Sequence, residues 1–297
     1  MEIGVGRREK RFTMLDWLLL AAIAGGVWYA VAVSDFSLTY KWNWKAIPQF
    51  FFRFDAVRQS WVPNLLVQGI LATIRISVWS SALALPIGIL MGMAIRSQSL
   101  YLRELARTYV ELVRNTPPLV LIFIFYFFLG NQLMLLLQVD QWIAASSERT
   151  RNILEILFAP ESQFSAFISA LLTMAVYEGA YMAEIVRAGL DSVAKEQWEA
   201  ADAIGLRRWP KYRHVILPQA FRTILPAMAG QFISAIKDSA IVSVISVQEL
   251  TFQGMELMSA TYLTFEIWIT IAAIYFGLTS ICSLGARRLE SRIRRRS

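Results

Sequence analysis

Charged side chains inside long apolar stretches are the residues of this sequence whose chemistry needs an explanation. Glu178 and Glu184 lie in the run MAVYEGAYMAEIVRAGL, and Lys237 stands beside Asp238 in a second apolar run. An ionised group is costly within a bilayer, so such residues usually face a partner charge, a water-filled cavity or a transported solute. Together with Asn115, these four residues are our candidates for a substrate pathway or its gate.

The two glutamates do not share a helix face. Six residues of helix separate them by about 9 Å and by about 240° of rotation. Glu184 lies three residues before Arg187, a spacing that allows the two to pair on one face. We therefore predict that Glu178 borders the solute cavity with Asn115 and that Glu184 mainly fixes helix geometry. Two alternatives stay open: Glu178 pairs with Lys237 of another helix, or the two glutamates have the opposite roles.

Two consecutive prolines interrupt the third apolar stretch, which opens with ELVRNTPPLVLIFIFYFF. Pro117 and Pro118 each remove a helix hydrogen bond. Lipid does not tolerate the carbonyl groups left unpaired, so the break must face protein or a water-filled cavity. The polar residues Arg114, Asn115 and Thr116 lie at the same point, which is typical of a pathway. A kink shielded by neighbouring helices is the alternative.

The sequence has few groups suited to catalysis or metal binding. It contains one cysteine, Cys282, and one histidine, His214, which excludes an intrachain disulfide and a metal cluster built on these residue types. His214 alone is a weak catalytic signal, so we expect it to be a polar loop residue. No Walker A pattern GxxxxGK[ST] occurs. We therefore expect no enzymatic activity, cofactor or metal in this chain, and its energy must come from an ion gradient or from another subunit.

Six apolar blocks must position these residues in a chain that is 56% hydrophobic with a mean hydropathy of +0.47. A bilayer core about 30 Å thick requires about 20 apolar residues of helix. Because lipid offers no partner to the backbone, we predict an all-α membrane protein. Its six transmembrane helices are expected at about residues 14–33, 66–95, 108–137, 165–190, 223–247 and 263–285.

The first block has a second interpretation, since four basic residues precede it as in a signal peptide. Its apolar run, from Leu15 to Val33, is longer than the hydrophobic core of a signal peptide, and no clean small-x-small cleavage site follows. We therefore expect an uncleaved first helix.

Basic residues are distributed asymmetrically among the segments between these blocks. With the N-terminus inside, the inner segments hold 21 Lys and Arg residues and the outer segments hold 6. By the positive-inside rule this predicts two cytoplasmic termini, the second a basic tail at 286–297. The formal net charge of +7 therefore reflects membrane orientation and does not indicate a nucleic-acid partner.

Aromatic residues are concentrated in the outer segment that follows the first block. Rings with a polar edge are favoured at headgroup level, so we expect an interfacial helix or loop rather than a binding face. These residues are Trp42, Trp44, Phe50, Phe51, Phe52, Phe54 and Trp61.

The polar segment EQWEAADAIGLRRWPKYRHVILPQA, residues 196–220, lies between two apolar blocks. We predict a helix over 195–206, with Gly205 as the glycine that terminates it. A second short helix is expected over about 209–216, and Pro218 should break it before the next span. Two short helices in a cytoplasmic loop form a rigid projecting element, which indicates a docking partner.

The spacing in this segment resembles the EAA loop, EAA-x3-G-x9-I-x-L-P, of importer permeases in the ATP-binding cassette superfamily. Here Glu199-Ala200-Ala201 precedes Gly205 and the string VILP, in which valine replaces isoleucine. The strings VRNTPPLV, GAYMAEIVRAGL and LPQAFRTILPAMAGQFISAIKDS are similar to those of the branch that moves polar amino acids, the histidine, glutamine, arginine and glutamate permeases. The resemblance covers about residues 66–285.

The resemblance implies a five-helix type I permease core over 66–285 and one extra N-terminal helix within 1–65. It also implies a bacterial inner-membrane assembly: a second permease, identical or homologous, two ATPase subunits and an external solute-binding protein that delivers the amino acid. In this family the EAA loop, at 195–220, enters a groove on the ATPase. The residues carried over to that coupling role are Glu199, Ala200, Ala201, Gly205, Leu217 and Pro218.

Two other functions are compatible with an apolar chain of this length. An ion-coupled secondary transporter predicts inverted repeats and broken ion-binding helices, and no internal repeat is found. It also leaves the spacing of the EAA segment without a role. A membrane scaffold or sensor leaves the carboxylates within the spans unexplained.

Overall fold

The computed structural model describes residues 14–33, 40–57 and 59–295, and its contacts divide the chain into two units between Trp42 and Asn43. In the first unit, helix α1 spans Met14–Val33, and the rings of Tyr40 and Trp42 meet edge to face. The second unit contains the remaining described elements. It therefore includes much of the aromatic outer segment that the sequence analysis grouped with the first helix.

The aromatic outer segment contains a two-stranded antiparallel hairpin, where the sequence predicted an interfacial helix or loop. Strands β1, Phe52–Asp55, and β2, Ser60–Pro63, pair Phe54 with Trp61. The alternation of aromatic and polar residues has the period of a strand, which explains the difference. This small hairpin is an exception to the predicted all-α fold.

The second unit is otherwise built from helices. They are α2 Leu65–Ile95, α3 Leu100–Asn115, α4 Pro118–Ile124, α5 Asn131–Leu136, α6 Val139–Ala144, α7 Glu148–Leu157, α8 Phe164–Asp191, α9 Lys195–Ala203, α10 Arg208–Lys211, α11 Leu217–Asp238, α12 Leu250–Thr261 and α13 Thr264–Arg295. Wider π turns at Phe125–Gly130 and Tyr212–Ile216 and a 3-10 turn at Ser239–Ile245 join some of them.

Five helices among the described residues are long and apolar enough to cross a membrane, and a shorter apolar helix, Trp17–Gly26, precedes them. The predicted third span, 108–137, is corrected at its start. Its first residues belong to α3, an amphipathic helix that ends at Asn115, and the span begins only at Pro118. The five long spans are Leu65–Ile95, Pro118–Leu136, Glu161–Asp191, Arg208–Ile245 and Thr264–Arg288.

The pairing of α2 with α8 is the most extensive contact between elements in the described chain. A Cβ added at Gly88 would lie 2.5 Å from Cβ of Met182, and one at Gly92 would lie 2.7 Å from the carbonyl oxygen of Ala183. The string GILMG places these glycines four residues apart, the spacing that lets membrane helices approach closely. This motif on α2 was not among the features predicted from the sequence.

A buried carboxylate joins α2 to two further helices. Glu249 caps α12 by accepting a hydrogen bond from the backbone N–H of Phe252 at 2.9 Å. Its other oxygen accepts hydrogen bonds from the hydroxyl groups of Tyr275 on α13, at 2.8 Å, and Thr73 on α2, at 3.3 Å. A buried carboxylate with every oxygen bonded stabilises a junction instead of opening a pathway. Glu249 therefore helps to hold the frame around the site.

Candidate solute cavity and coupling loop

A polar cavity of about 680 Å³ opens where α2 and α8 end and α3 crosses them. Four arginines and three carboxylates line it, so it offers both signs of charge. The lining residues are Ile95, Arg96, Arg107, Val110, Glu111, Arg114, Asn115, Tyr181, Glu184, Arg187 and Asp191.

Glu184 has two arginine neighbours in this cavity. Its two oxygens accept hydrogen bonds from Nη2 and Nε of Arg187 at 2.5 and 3.0 Å. Arg114 lies 3.6 Å away, and its guanidinium carbon is 5.8 Å from the ring centre of Tyr181. The predicted pairing of Glu184 with Arg187 is therefore present. The Glu184 side chain remains 28% exposed, so a solute in the cavity can reach it.

The proline break brings Asn115 to the same cavity. Thr116 has extended backbone, with φ −99° and ψ 140°, as expected for a residue before proline. Its hydroxyl donates to the Leu112 carbonyl at 2.7 Å, which satisfies one backbone group freed by the break. Helix α4 then begins at Pro118. The last residue before the break, Asn115, thus lines a polar cavity.

The structure does not bring Glu178 together with Asn115 at this cavity, because Glu178 is not among the residues that line it. Glu178 is fully buried. One of its oxygens, Oε2, accepts a hydrogen bond from Nε2 of Gln231 on α11 at 2.7 Å, and Oε1 has no hydrogen-bond partner in the described part of the chain. Helix periodicity explains the separation, since the two glutamates point to different sides of α8.

Lys237 and Asp238 end α11 and are not among the residues that line the cavity. Lys237 is exposed and Asp238 is half-buried. The hydrogen bond found for Glu178 is to Gln231, one of the polar residues that the sequence analysis did not single out. In the sequence, an uncharged amide within an apolar helix is a weak signal of a buried hydrogen bond, because the same residue could equally face a water-filled space.

The coupling loop, residues 195–220, begins with α9 and a sharp turn at Gly205. The N–H of Gly205 donates to the Asp202 carbonyl at 2.9 Å, and the N–H of Leu206 donates to the Ala201 carbonyl at 3.1 Å. With φ +73° at Gly205, these bonds form a Schellman motif. A Cβ at Gly205 would meet nothing within 4 Å, so the position requires glycine for its backbone angle and not for space.

The remaining residues carried over to the coupling role lie on both sides of this turn. Glu199 and Ala200 are exposed and Ala201 is buried, so α9 presents one face outward and packs the other. Lys195 holds Glu199 at 3.0 Å. Farther along, Leu217 is half-buried and Pro218 is exposed.

The predicted break at Pro218 is wrong, because the chain from Arg208 to Ile245 is one continuous helical run. Pro218 lacks an N–H, and its ring would meet a carbonyl in the preceding turn of a regular helix. The wider turn Tyr212–Ile216 lies at that point, and the N–H of Leu217 donates to the Tyr212 carbonyl. A π turn therefore accommodates the proline and keeps the loop attached to α11.

Two large apolar side chains project from the loop, with Ile204 74% exposed and Trp209 65% exposed. Behind them, Trp198 of α9 meets the ring of Tyr212 edge to face at 5.4 Å. Both rings pack on a buried cluster contributed by the ends of α8 and α11, formed by Val186, Leu190, Val193, Ile216, Ala220 and Ile224. The loop is thus a supported surface with an apolar tip, which the motif spacing alone did not reveal.

No group of three or more His, Cys, Asp or Glu side chains that could hold a metal ion occurs within residues 14–33, 40–57 and 59–295. The carboxylates of the cavity are instead accompanied by arginines. Such a site suits a polar organic solute better than a cation.

Comparisons with known proteins connect this geometry to a transport family. The model of the family described as "Binding-protein-dependent transport system inner membrane component" matches residues 84–295. The glutamine transport system permease protein GlnP of Escherichia coli (strain K12) is 35% identical over 230 residues, which cover 77% of this chain and 93% of that protein. The probable amino-acid ABC transporter permease protein YckA of Bacillus subtilis (strain 168) is 30% identical, with 76% and 88% covered.

Solved structures show the same arrangement of helices. A crystal structure of an amino acid ABC transporter with histidines has a TM-score of 0.61 and 32% identity, and the match covers 77% of this chain and 94% of that one. The MetNI methionine ABC transporter, in an inward-facing conformation, matches with a TM-score of 0.56 at 17% identity over 77% of this chain and 96% of that one, a likeness of fold alone.

Proposed function

This chain belongs to the family of inner membrane components of binding-protein-dependent transport systems, and we propose that polar L-amino acids cross the membrane along its cavity at Asn115 and Glu184. It is a multi-pass permease of an ATP-binding cassette importer of amino acids and is not itself an ATPase. The observation that carries the proposal is a cavity of mixed charge beside a rigid loop with an apolar tip.

The cavity has groups that match both ends of an amino acid. The guanidinium groups of Arg114 and Arg187 suit a carboxylate, and the Glu184 carboxylate suits an ammonium group. Asn115 offers an amide that can both donate and accept. This combination favours a zwitterion with a polar side chain over a simple ion. The relatives named for glutamine transport support the same class of solute.

The loop at 195–220 supplies the connection to ATP hydrolysis. We assign its exposed tip, Ile204 and Trp209, to the contact with the ATPase, and the motif residues, Glu199 to Gly205, to the shape of that tip. Burying two large apolar side chains would contribute about 3–6 kcal/mol to docking. Because α9 is packed on α8 and α11, a movement of the docked ATPase would rock those helices.

Purification of the tagged chain from its own membrane tests these partners. We expect two ATPase subunits to co-purify with two permeases, and mass spectrometry of the complex shows whether the second permease is identical or homologous. An external solute-binding protein is expected to bind this complex in its outward-open state. Isolation of the chain as a stable monomer without an ATPase would contradict the assignment.

Orientation in the membrane is a further part of the proposal. The excess of basic residues in alternate segments supports six spans, α1 and the five longer helices of a type I permease core, with both termini in the cytoplasm. After replacement of Cys282 by serine, single cysteines at Ser147 and Ser192 should react with impermeant reagents from opposite faces. Labelling of both from one face would overturn this topology.

A further inference from the structure

A continuous series of side-chain contacts runs from the solute cavity to the coupling loop. It begins at Glu184, which is bonded to Arg187, and Arg187 also donates from Nη1 to Oδ2 of Asp191 at 2.6 Å. The other oxygen of Asp191 accepts from Nη1 of Arg96 at 2.8 Å. Arg96 then lies over the ring of Trp198, with 4.6 Å between its guanidinium carbon and the ring centre.

Arg96 is the member that crosses between the two regions. It follows the last residue of α2, and Trp198 lies on α9 of the coupling loop. A guanidinium is planar, so it can donate in its plane to Asp191 while its face rests on an indole ring. A lysine at this position would keep the charge but lose the stacking face.

Trp198 is held in place on the loop side. Its ring packs against Tyr212, and the ammonium group of Lys211 lies 5.9 Å from the ring centre. Lys211 also pairs with Asp202 of α9. A shift of α9 therefore carries the indole ring, and with it the surface on which Arg96 rests.

These ion pairs contribute little to stability. The side chains of Arg96 and Asp191 are 28% and 44% exposed, and those of Arg187 and Glu184 are 36% and 28% exposed. Exposed pairs of this kind contribute little net free energy, because solvent and salt screen them. The ion pairs mainly set the geometry of the series, since each side chain fixes the position of the next.

We propose that Arg96 and Asp191 are positioning residues that couple the coupling loop to Glu184 and so to the solute in the cavity. When α9 moves with the ATPase, Arg96 moves with the Trp198 ring. Because Asp191 is hydrogen-bonded to both arginines, a shift of Arg96 moves Arg187. The hydrogen bonds between Arg187 and Glu184 are then either kept or broken. This inference rests on the proposed function, because it concerns the same cavity and the same loop.

The test uses the whole complex, with its ATPase and binding protein, reconstituted in proteoliposomes. Arg96→Gln and Asp191→Asn should each lower the number of amino acids imported per ATP hydrolysed by about 10-fold, a size typical of coupling between sites. Solute-stimulated hydrolysis should fall towards the basal rate, while subunit stoichiometry stays that of the wild type. Asp191→Asn leaves the ring contact with Trp198 in place, so it provides the result if Arg96→Gln does not assemble.

Gln98→Ala is the matched control. Gln98 accepts a hydrogen bond from Arg208, so it also joins the end of α2 to the coupling loop, but it does not line the cavity. We expect this variant to keep the wild-type ratio of import to hydrolysis. An equal loss in Gln98→Ala would overturn the relay, because any contact between α2 and the loop would then suffice.

A double-mutant cycle separates a relay from independent effects. Trp198→Leu and Arg96→Gln interrupt the same contact, so the double variant should be no less coupled than the worse single variant. Additive losses would contradict the relay, as would wild-type coupling in both Arg96→Gln and Asp191→Asn. If the wild-type complex itself imports no amino acid, the proposed function fails and the relay fails with it. If the wild-type complex imports amino acids and the variants keep its ratio of import to hydrolysis, the proposed function stands and only the relay is contradicted.

Discussion

Glu184→Gln is expected to reduce ATP-driven amino-acid uptake by about 100-fold. The substitution keeps the shape of the side chain but removes the negative charge that faces Arg114 and Arg187 in the cavity. A hydrogen bond between this carboxylate and the ammonium group of the solute would contribute about 1.5–3 kcal/mol, and each 1.4 kcal/mol is about a factor of ten. The measurement is initial uptake by complexes of equal subunit content, with internal ATP and saturating binding protein.

The matched control for this change is Glu104→Gln. Glu104 contacts Arg103 at 3.2 Å and Arg107 at 3.4 Å, but it is exposed and does not line the cavity. We expect its uptake to stay within about twofold of wild type, as for other surface substitutions. Loss of uptake in both variants would show that arginine pairing in general matters, and not the cavity carboxylate.

Glu178→Gln distinguishes the two glutamates. A glutamine can still accept the hydrogen bond from Gln231 that joins α8 to α11, so uptake should change much less than in Glu184→Gln. The sequence-based hypothesis assigned the solute to Glu178, whereas the geometry favours Glu184, which lies at the cavity with Asn115. A large loss in Glu178→Gln with near-normal uptake in Glu184→Gln would restore the first assignment.

Gly205→Val is expected to lower uptake and solute-stimulated ATP hydrolysis together by about 10-fold. A residue with a Cβ pays about 1–2 kcal/mol in the left-handed conformation that Gly205 adopts, and a β-branched residue is a genuine outlier there. The Schellman turn would rearrange, and Ile204, the neighbouring residue at the tip of the loop, would move away from the ATPase. Both rates are measured on purified complexes.

Gly205→Asn serves as the control, since asparagine tolerates this conformation. There is open space around the position, so neither side chain clashes. We expect the asparagine variant to retain most of the uptake. Equal damage from both substitutions would show that the turn geometry is not what matters, and normal uptake by Gly205→Val would remove the coupling role of this turn.

Much of the fold could be predicted from hydropathy, because blocks of about 20 apolar residues have few alternatives in a bilayer. Each of the five long spans overlaps one of the apolar blocks predicted from the sequence. The proline break after Asn115 was also predictable, since Pro118 begins a helix there. Which of Glu178 and Glu184 lies at the cavity with Asn115 was not predictable. Helix periodicity shows only that the two face different sides of α8, and not which neighbours those sides meet.

Two further differences have local causes. Pro218 normally ends a helix, but the π turn at Tyr212–Ile216 accommodates it, and no simple residue pattern predicts that turn. The hairpin at Phe52–Pro63 depends on strand pairing over an aromatic segment that composition alone places at an interface. In both cases the backbone hydrogen bonds are satisfied by an arrangement that the intrinsic preferences of single residues do not predict.

ATP-driven uptake into proteoliposomes tests most directly whether this chain forms the membrane pathway of an amino-acid importer. Vesicles containing the complete complex, with ATP inside and the binding protein and labelled glutamine outside, should accumulate the amino acid. Uptake should stop without ATP or binding protein, should persist when ionophores dissipate all ion gradients, and should be largely lost in Glu184→Gln. Accumulation that needs an ion gradient and no ATP, or uptake unaffected by Glu184→Gln, would contradict it.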